Sequence, residues 1–133
     1  GYFITQVNVL KEHGEITFAG INTGLNHLIR PMFYDAYHHI DNMSQPDQPT
    51  KNYAVVGNIC ETDTFAWDRP IPTISEGDFL VFYNAGAYGY EMSSNYNARY
   101  KPAQVLFEKE EAKLISRSDN FADLLNLQIP LNP

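Results

Sequence analysis

Three places in this chain carry residue types suited to acid–base chemistry and to charge recognition. Cys60 is the only cysteine, and Glu61 follows it in the stretch GNICETD, just past an apolar run. A thiol beside a carboxylate at a strand end can act as an acid–base group or as a nucleophile at the rim of a site. The alternative is a buried, inert thiol, and no His or Lys adjacent in sequence activates it. Gly86-Ala87-Tyr88-Gly89 is the second place. Two glycines around a tyrosine let the backbone turn sharply and present the phenol to a ligand; a tight turn with a packing tyrosine accounts for them equally well. The third is Arg30-Pro31 followed by Tyr34. A guanidinium fork matches a carboxylate or phosphate and a tyrosine hydroxyl can complete such a site, although a surface arginine covering an aromatic ring has the same signature.

Other reactive residue types form no such pattern. The histidines are His13, His27, His38 and His39. The adjacent pair would point to opposite faces of a strand, a poor arrangement for a metal. Glu108, Glu110 and Glu111 read as a solvated turn. The sequence has no glycine-rich phosphate loop leading into a helix, no nucleophile elbow and no zinc-type cysteine pair. No metal site is expected.

The elements that must hold these residues are short strands. Residues 2–11 alternate and are rich in β-branched types; with a turn at His13-Gly14 and a second run at 15–19 they predict a hairpin. Between residues 21 and 40, Gly24 and Pro31 exclude a long helix and leave short strands or one helical turn around residues 30–37. Residues 41–51 (DNMSQPDQPTK) read as a surface loop, and 52–59 as a buried strand. Pro70 and Pro72 make residues 67–72 a loop or an edge strand. Gly77-Asp78 turns the chain into a strand at 79–83, and residues 86–99 are irregular. Residues 103–107 and 112–115 predict a second hairpin, and 119–127 a short amphipathic helix capped by Asp119 or Asn120. The fold class is therefore mainly β: a Greek-key-like barrel or sandwich with a short C-terminal helix, in one domain over residues 1–133.

Bulk properties agree. A 133-residue chain suffices for one domain with a modest core, and 44% hydrophobic, 14% aromatic residues favour packed strands. A net charge of −7 offers no basic face for nucleic acid. No apolar run approaches the ~20 residues that span a bilayer, so no membrane partner is expected. The amino terminus lacks the pattern of a signal peptide and reads as a strand already in progress, which suggests an excised piece. A single cysteine allows no internal disulfide and fits a reducing cytoplasm.

The stretches GLNHLIRPMFYDAYHHI (residues 24–40), VVGNICETDTF (55–65) and NAGAYGYEMSSNYNARYKPAQVLF (84–107), in this order and spacing, resemble the diaminopimelate decarboxylases, of the fold-type III pyridoxal phosphate decarboxylases. The Cys-Glu pair and GAYG occur in several relatives; GAYGYEMSSNYN together with LIRPMFYDAYH is more specific. The resemblance implies a C-terminal β-domain that completes the site of an amino-terminal β/α barrel, absent here, which holds pyridoxal 5′-phosphate on a lysine. It implies conversion of meso-2,6-diaminopimelate to L-lysine and carbon dioxide by a homodimer, with the isolated domain inactive. Cys60 would protonate the carbon that carbon dioxide leaves, and Glu61 would meet the distal ammonium. Arg30 and Tyr34 would hold the distal carboxylate, and Tyr88 would touch cofactor and substrate. Cys60 and Glu61 would reach into the neighbouring subunit's site. Lys11, Lys51, Lys101, Lys109 and Lys113 do not match the family's cofactor position, and a strand that the family's β-domain takes from the far amino terminus is absent too, leaving a sheet edge unpaired. Asn22-Thr23-Gly24 stands where relatives often have an acidic residue before the glycine. Two alternatives differ in class: a same-fold decarboxylase of ornithine, arginine or carboxynorspermidine type, and a stand-alone, non-enzymatic β-domain.

Overall fold

Side-chain alternation builds the main sheet. Strand β1 (Phe3–His13) turns Thr5 and Val7 inward and Ile4 and Asn8 outward. It returns through a two-residue turn, with His13 opposite Ile16 and Gly14 at φ 59°, into antiparallel β2 (Ile16–Ile21). This is the expected hairpin, with both strands two residues longer at their ends. The computed structural model describes residues 1–59 and 63–131, which fall into two compact units, Gly1–Ser93 and the chain from Ser94 onward.

In the first unit a single helical turn, α1 (Arg30–Tyr34), replaces the long helix that Pro31 forbids. Proline sits at its start, where a missing N–H costs nothing. Asp35, at φ 53°, ends it by donating its N–H to the Arg30 carbonyl. Four strands follow: β3 (Ile40–Asn42), β4 (Thr50–Val56), β5 (Thr64–Pro72) and β6 (Phe79–Phe82). The sheet order is β3-β6-β1-β2-β4-β5, with β2 and β4 parallel and every other pair antiparallel. Strand β5 is terminal in that order, so Pro70 and Pro72 cost no ladder bonds. The two terminal strands approach one another and the sheet nearly closes into a barrel. The expected fold class holds.

Two boundaries differ from expectation, both for polar reasons. Residues 41–51 are a loop only between β3 and β4, because Asn42 is fully buried and belongs to a strand. Its amide donates to the Thr73 carbonyl (3.0 Å) and to Asp78 Oδ2 (2.9 Å), while its oxygen accepts the Ser44 N–H. Burial works to raise the Asp78 pKa, but bonds from the Ser75 N–H, Asn42 and Gln45 outweigh it and hold the carboxyl below its usual value. Strand β4 stops at Val56, short of Ile59, because the Gly57 N–H turns to the Asp63 carbonyl (2.7 Å).

The core gathers at Phe82, whose ring meets Phe3 and Phe65 edge-on at 5.8 and 5.4 Å. Val7, Ile21, Leu28, Val55, Ile71 and Leu80 complete it, each worth about 1.5–3 kcal/mol in burial.

In the second unit, a 3-10 turn (Tyr96–Ala98) precedes the hairpin of β7 (Gln104–Glu108) and β8 (Glu111–Ser116). Lys109 and Glu110, at φ 50° and 66°, form its two-residue turn. Glu108 and Glu111 face each other there, and Lys113 lies within 3.8 Å of both. Helix α2 (Phe121–Leu125) follows, capped by Asn120 as expected. Asn120 accepts the N–H groups of Ala122 and Asp123, and Asp123 accepts that of Asn120. No described helix is long and apolar enough to cross a membrane.

Asp123 also receives both Arg117 nitrogens, at 2.6 and 2.9 Å. That pairing first, then the Asn120 N–H, lowers its pKa to about 2. Because the folded value lies below the ordinary 3.8, the cap stabilises above that pH and is lost as pH falls toward 2. In an NMR titration the Asp123 carboxyl carbon should therefore show a midpoint near 2, rising to the ordinary range in Arg117→Ala. A wild-type midpoint near 3.8 would show that the pair does not form.

Candidate active site

Helix α1 sets two of the sequence-selected residues on one face, because Arg30 and Tyr34 are four positions apart. The Arg30 guanidinium is half-buried and forms no hydrogen bond or ion pair with a described residue. Tyr34 exposes its phenol, its ring edge-on to Phe33. The helix lies against β5, and the segment after it is fastened there. Arg69 of β5 donates to the His38 carbonyl (2.6 Å) and its guanidinium sits 4.1 Å from the Tyr37 ring centre. The buried His38 donates from Nδ1 to the Tyr83 carbonyl (2.9 Å). His39 is exposed beside Asp41, so the adjacent histidines do face apart. Among the described residues no three His, Cys, Asp or Glu are grouped to hold a metal.

Upstream of α1 the chain makes a tight turn. The His27 N–H donates to the Gly24 carbonyl, and the Thr23 hydroxyl bonds the His27 ring. Cys60 and Glu61 lie outside the described residues, but the residues that flank them rest on this turn. The Asn58 N–H donates to the Thr23 carbonyl (2.9 Å). Ile59 presses so close to Gly24 that an added Cβ would stand 3.0 Å from it. Asp63, buried, accepts the Leu25 N–H.

The Gly86–Gly89 turn differs from the simple expectation. Neither glycine has positive φ; Tyr88 does, at 62°. The glycines supply space instead. A Cβ on Gly89 would lie 2.1 Å from the Ala85 carbonyl oxygen, and one on Gly86 would lie 2.7 Å from the Gly1 nitrogen. The phenol-bearing residue thus takes the strained conformation and is 63% exposed. Leu28, fully buried two residues before Arg30, stands 3.8 Å from the Cβ position of Gly89. The turn at residues 23–28 therefore borders α1, the segment around Cys60 and the Tyr88 turn.

Residues 1–86 match the family model described as pyridoxal-dependent decarboxylase, C-terminal sheet domain. The chain belongs to that family. It is 45% identical over 129 residues to the diaminopimelate decarboxylase of Methanothermobacter thermautotrophicus, an alignment covering 96% of this chain and 30% of the relative. The crystal structure of diaminopimelate decarboxylase from M. jannaschii superposes with a TM-score of 0.91 at 35% identity, over 98% of this chain and 30% of that one. The Helicobacter pylori enzyme, solved as a complex with L-lysine, gives 0.86 at 32% identity, over 96% and 31%. The sheet domain thus spans about 30% of the length of the relatives it matches.

Tyr88 offers an exposed phenol on a fixed turn. Lys11 and Lys51 belong to β1 and β4, Lys113 to β8, and Lys101 and Lys109 to connecting segments of the second unit, far in sequence from the residues of the turn. Sequence reasoning missed Asp63 and the turn at 23–28. The only trace was Gly57 six residues before an aspartate, which becomes meaningful only through space.

A left-handed tyrosine costs about 1–2 kcal/mol, which asparagine tolerates better. Tyr88→Asn should leave the fold as stable or up to about 1 kcal/mol more stable in urea unfolding. A clear loss of stability would mean that the ring packs and is not held out for a ligand.

Proposed function

We propose that this domain completes the active site of a diaminopimelate decarboxylase, a pyridoxal phosphate-dependent enzyme that converts meso-2,6-diaminopimelate to L-lysine and carbon dioxide. The supporting observation is the turn at residues 23–28, which leads into α1 with Arg30 and Tyr34, underlies the Tyr88 turn, and is bonded to Asn58 and Asp63 on either side of Cys60 and Glu61. Sequence likeness to diaminopimelate decarboxylases over nearly the whole chain supports the same substrate class.

Each residue type answers one feature of the substrate. Its far end carries an ammonium and a carboxylate. The Arg30 guanidinium, with no partner among the described residues, is free to pair that carboxylate, and the Tyr34 hydroxyl four residues on adds a second donor. Glu61 complements the distal ammonium. When bound, pyridoxal phosphate supplies an electron sink for the pair left on the carbon from which carbon dioxide departs. The chain's own task is then to deliver one proton to the vacated carbon. Cys60 Sγ–H is the donor, and Tyr88 bounds the space where cofactor and substrate meet.

The remaining parts of the reading concern the whole protein. The lysine and phosphate cradle for the cofactor belong to a barrel domain, and the isolated sheet domain is inactive. The enzyme works as a homodimer in the cytoplasm, Cys60 and Glu61 serving the neighbouring subunit's site. The apolar residues Val105, Leu106, Phe107, Leu114 and Ile115, all exposed on the β7–β8 hairpin, support burial against further protein in that assembly.

In the full-length protein, Cys60→Ala should lower kcat by about 10²–10⁴-fold with KM changed only a few-fold, since proton delivery is a late step. Wild-type turnover would remove Cys60 from the chemistry. Arg30→Ala should raise KM for meso-diaminopimelate by about 10–100-fold, the loss of a charged hydrogen bond of about 1.5–3 kcal/mol. An unaltered KM would count against its carboxylate role.

A further inference from the structure

Helix α1 has five residues, far fewer than the about 12–15 at which a helix begins to persist by itself, so its placement is decided by what anchors its two ends. The upstream anchor is Leu28, fully buried two residues before Arg30. The downstream anchor is one side chain of β5. Arg69 donates from Nη1 to the His38 carbonyl at 2.6 Å, and its guanidinium carbon stands 4.1 Å from the centre of the Tyr37 ring. Tyr37 and His38 are three and four residues past Tyr34. The buried His38 ring is bonded in turn to the carbonyl of Tyr83, the residue after β6. The chain leaving α1 is thus held between β5 and the end of β6.

Strand β5 is built to aim Arg69 there. Tyr53 of β4 lies opposite Arg69 and Val55 lies opposite Ala66, so β5 carries one residue more than β4 over this stretch, a β-bulge. Asp68 takes the left-handed conformation, at φ 46°, and its Oδ1 accepts the Asn52 side-chain amide at 2.8 Å. A bulge re-aims neighbouring side chains, and the residue that follows Asp68 is Arg69. Arg69 is half-buried, and a cation over a ring gains strength as water is excluded. All these contacts lie within one chain, and none involves Cys60 or Glu61.

We propose that Arg69 is a positioning residue for recognition of the substrate's far carboxylate: by fixing the chain that leaves α1, it sets where Arg30 and Tyr34 present their donors, without touching substrate. This deepens the proposed function and rests on Arg30 and Tyr34 as partners of that carboxylate. Loss of the anchor should weaken only ligands that carry the carboxylate, and should spare the chemical step.

The test uses the full-length enzyme loaded with pyridoxal phosphate and two inhibitors that differ by that one group. L-Lysine, the product of the proposed reaction, keeps the far carboxylate; 1,5-diaminopentane lacks it. The variants are Arg69→Met, which keeps an apolar stem and drops both cation and donor, and Arg69→Lys, which keeps a cation that can still donate. In Arg69→Met, KM for meso-diaminopimelate and the inhibition constant of L-lysine should rise about tenfold, part of the about 10–100-fold expected when Arg30 itself is removed. Turnover and the inhibition constant of 1,5-diaminopentane should stay within about twofold of wild type. Arg69→Lys should rank between Arg69→Met and wild type for L-lysine. Adding Arg69→Met to Arg30→Ala should weaken L-lysine by less than about twofold more, because Arg69 acts chiefly through Arg30. Wild-type affinity for L-lysine in Arg69→Met would overturn the proposal; if Arg30→Ala weakens L-lysine in the same assay, the proposed function stands without it. Equal weakening of both inhibitors, or failure of Arg69→Met to fold, would also overturn it, by assigning Arg69 to the integrity of the sheet. Unchanged affinity for L-lysine in Arg30→Ala would overturn the carboxylate role itself, and the positioning role with it.

Discussion

The arrangement depends on how residues 23–28 are held. This turn borders three other pieces of chain: α1 follows it directly, Asn58 and Asp63 are bonded to it, and Leu28 underlies the Gly89 turn. None of those bonds is a ladder bond, so the sheet does not supply them. They come from backbone groups that strand pairing leaves over: the Thr23 carbonyl to Asn58, and the Leu25 N–H to a buried carboxylate. A buried backbone group without a partner would cost about as much as a lost hydrogen bond, so these loops have few other places to be.

Beneath the turn lies a core that is ordinary in composition and stiff in consequence. Phe82 and its ring neighbours, with Leu28, Ile40 and Ala85 in the same cluster, tie both ends of the irregular segments to the sheet. A rigid base of this kind can hold Tyr88 in a left-handed conformation and His38 in contact with a backbone carbonyl. Among the described residues, the strands supply the core, while Arg30, Tyr34 and Tyr88 sit on the connections between them.

Local signals were readable in the sequence wherever the physics is local. The β1–β2 hairpin followed from alternation and Gly14, a loop or edge strand at β5 from its prolines, and the α2 cap from Asp119 or Asn120, of which the structure uses Asn120. A single helical turn around residues 30–37 was one of two readings there, short strands being the other, and the structure has the turn. Pairings between distant segments were not readable. Strand β3 hid in a polar stretch because Asn42 is buried for its bonds to Asp78 and Thr73, and hydrophobic pattern does not register such a residue. The parallel pairing of β2 with β4 spans two intervening elements and has no local mark. Glycines at 86 and 89 advertised a turn, but which residue takes positive φ is settled by close backbone approach, which sequence does not encode. Asp63 has the same character, since its meaning lies in Leu25, thirty-eight residues away.

The central claim concerns the substrate's far end, where a guanidinium and a carboxylate are matched to a second amino-acid group. Carbon dioxide release by the full-length protein with pyridoxal phosphate, compared across meso-diaminopimelate, ornithine and arginine, tests it most directly. The account predicts release from meso-diaminopimelate, with ornithine and arginine inert because neither offers Arg30 a distal carboxylate. Preferential release from ornithine or arginine would contradict the assignment of Arg30 and Glu61, and with it the substrate, while leaving the fold as described.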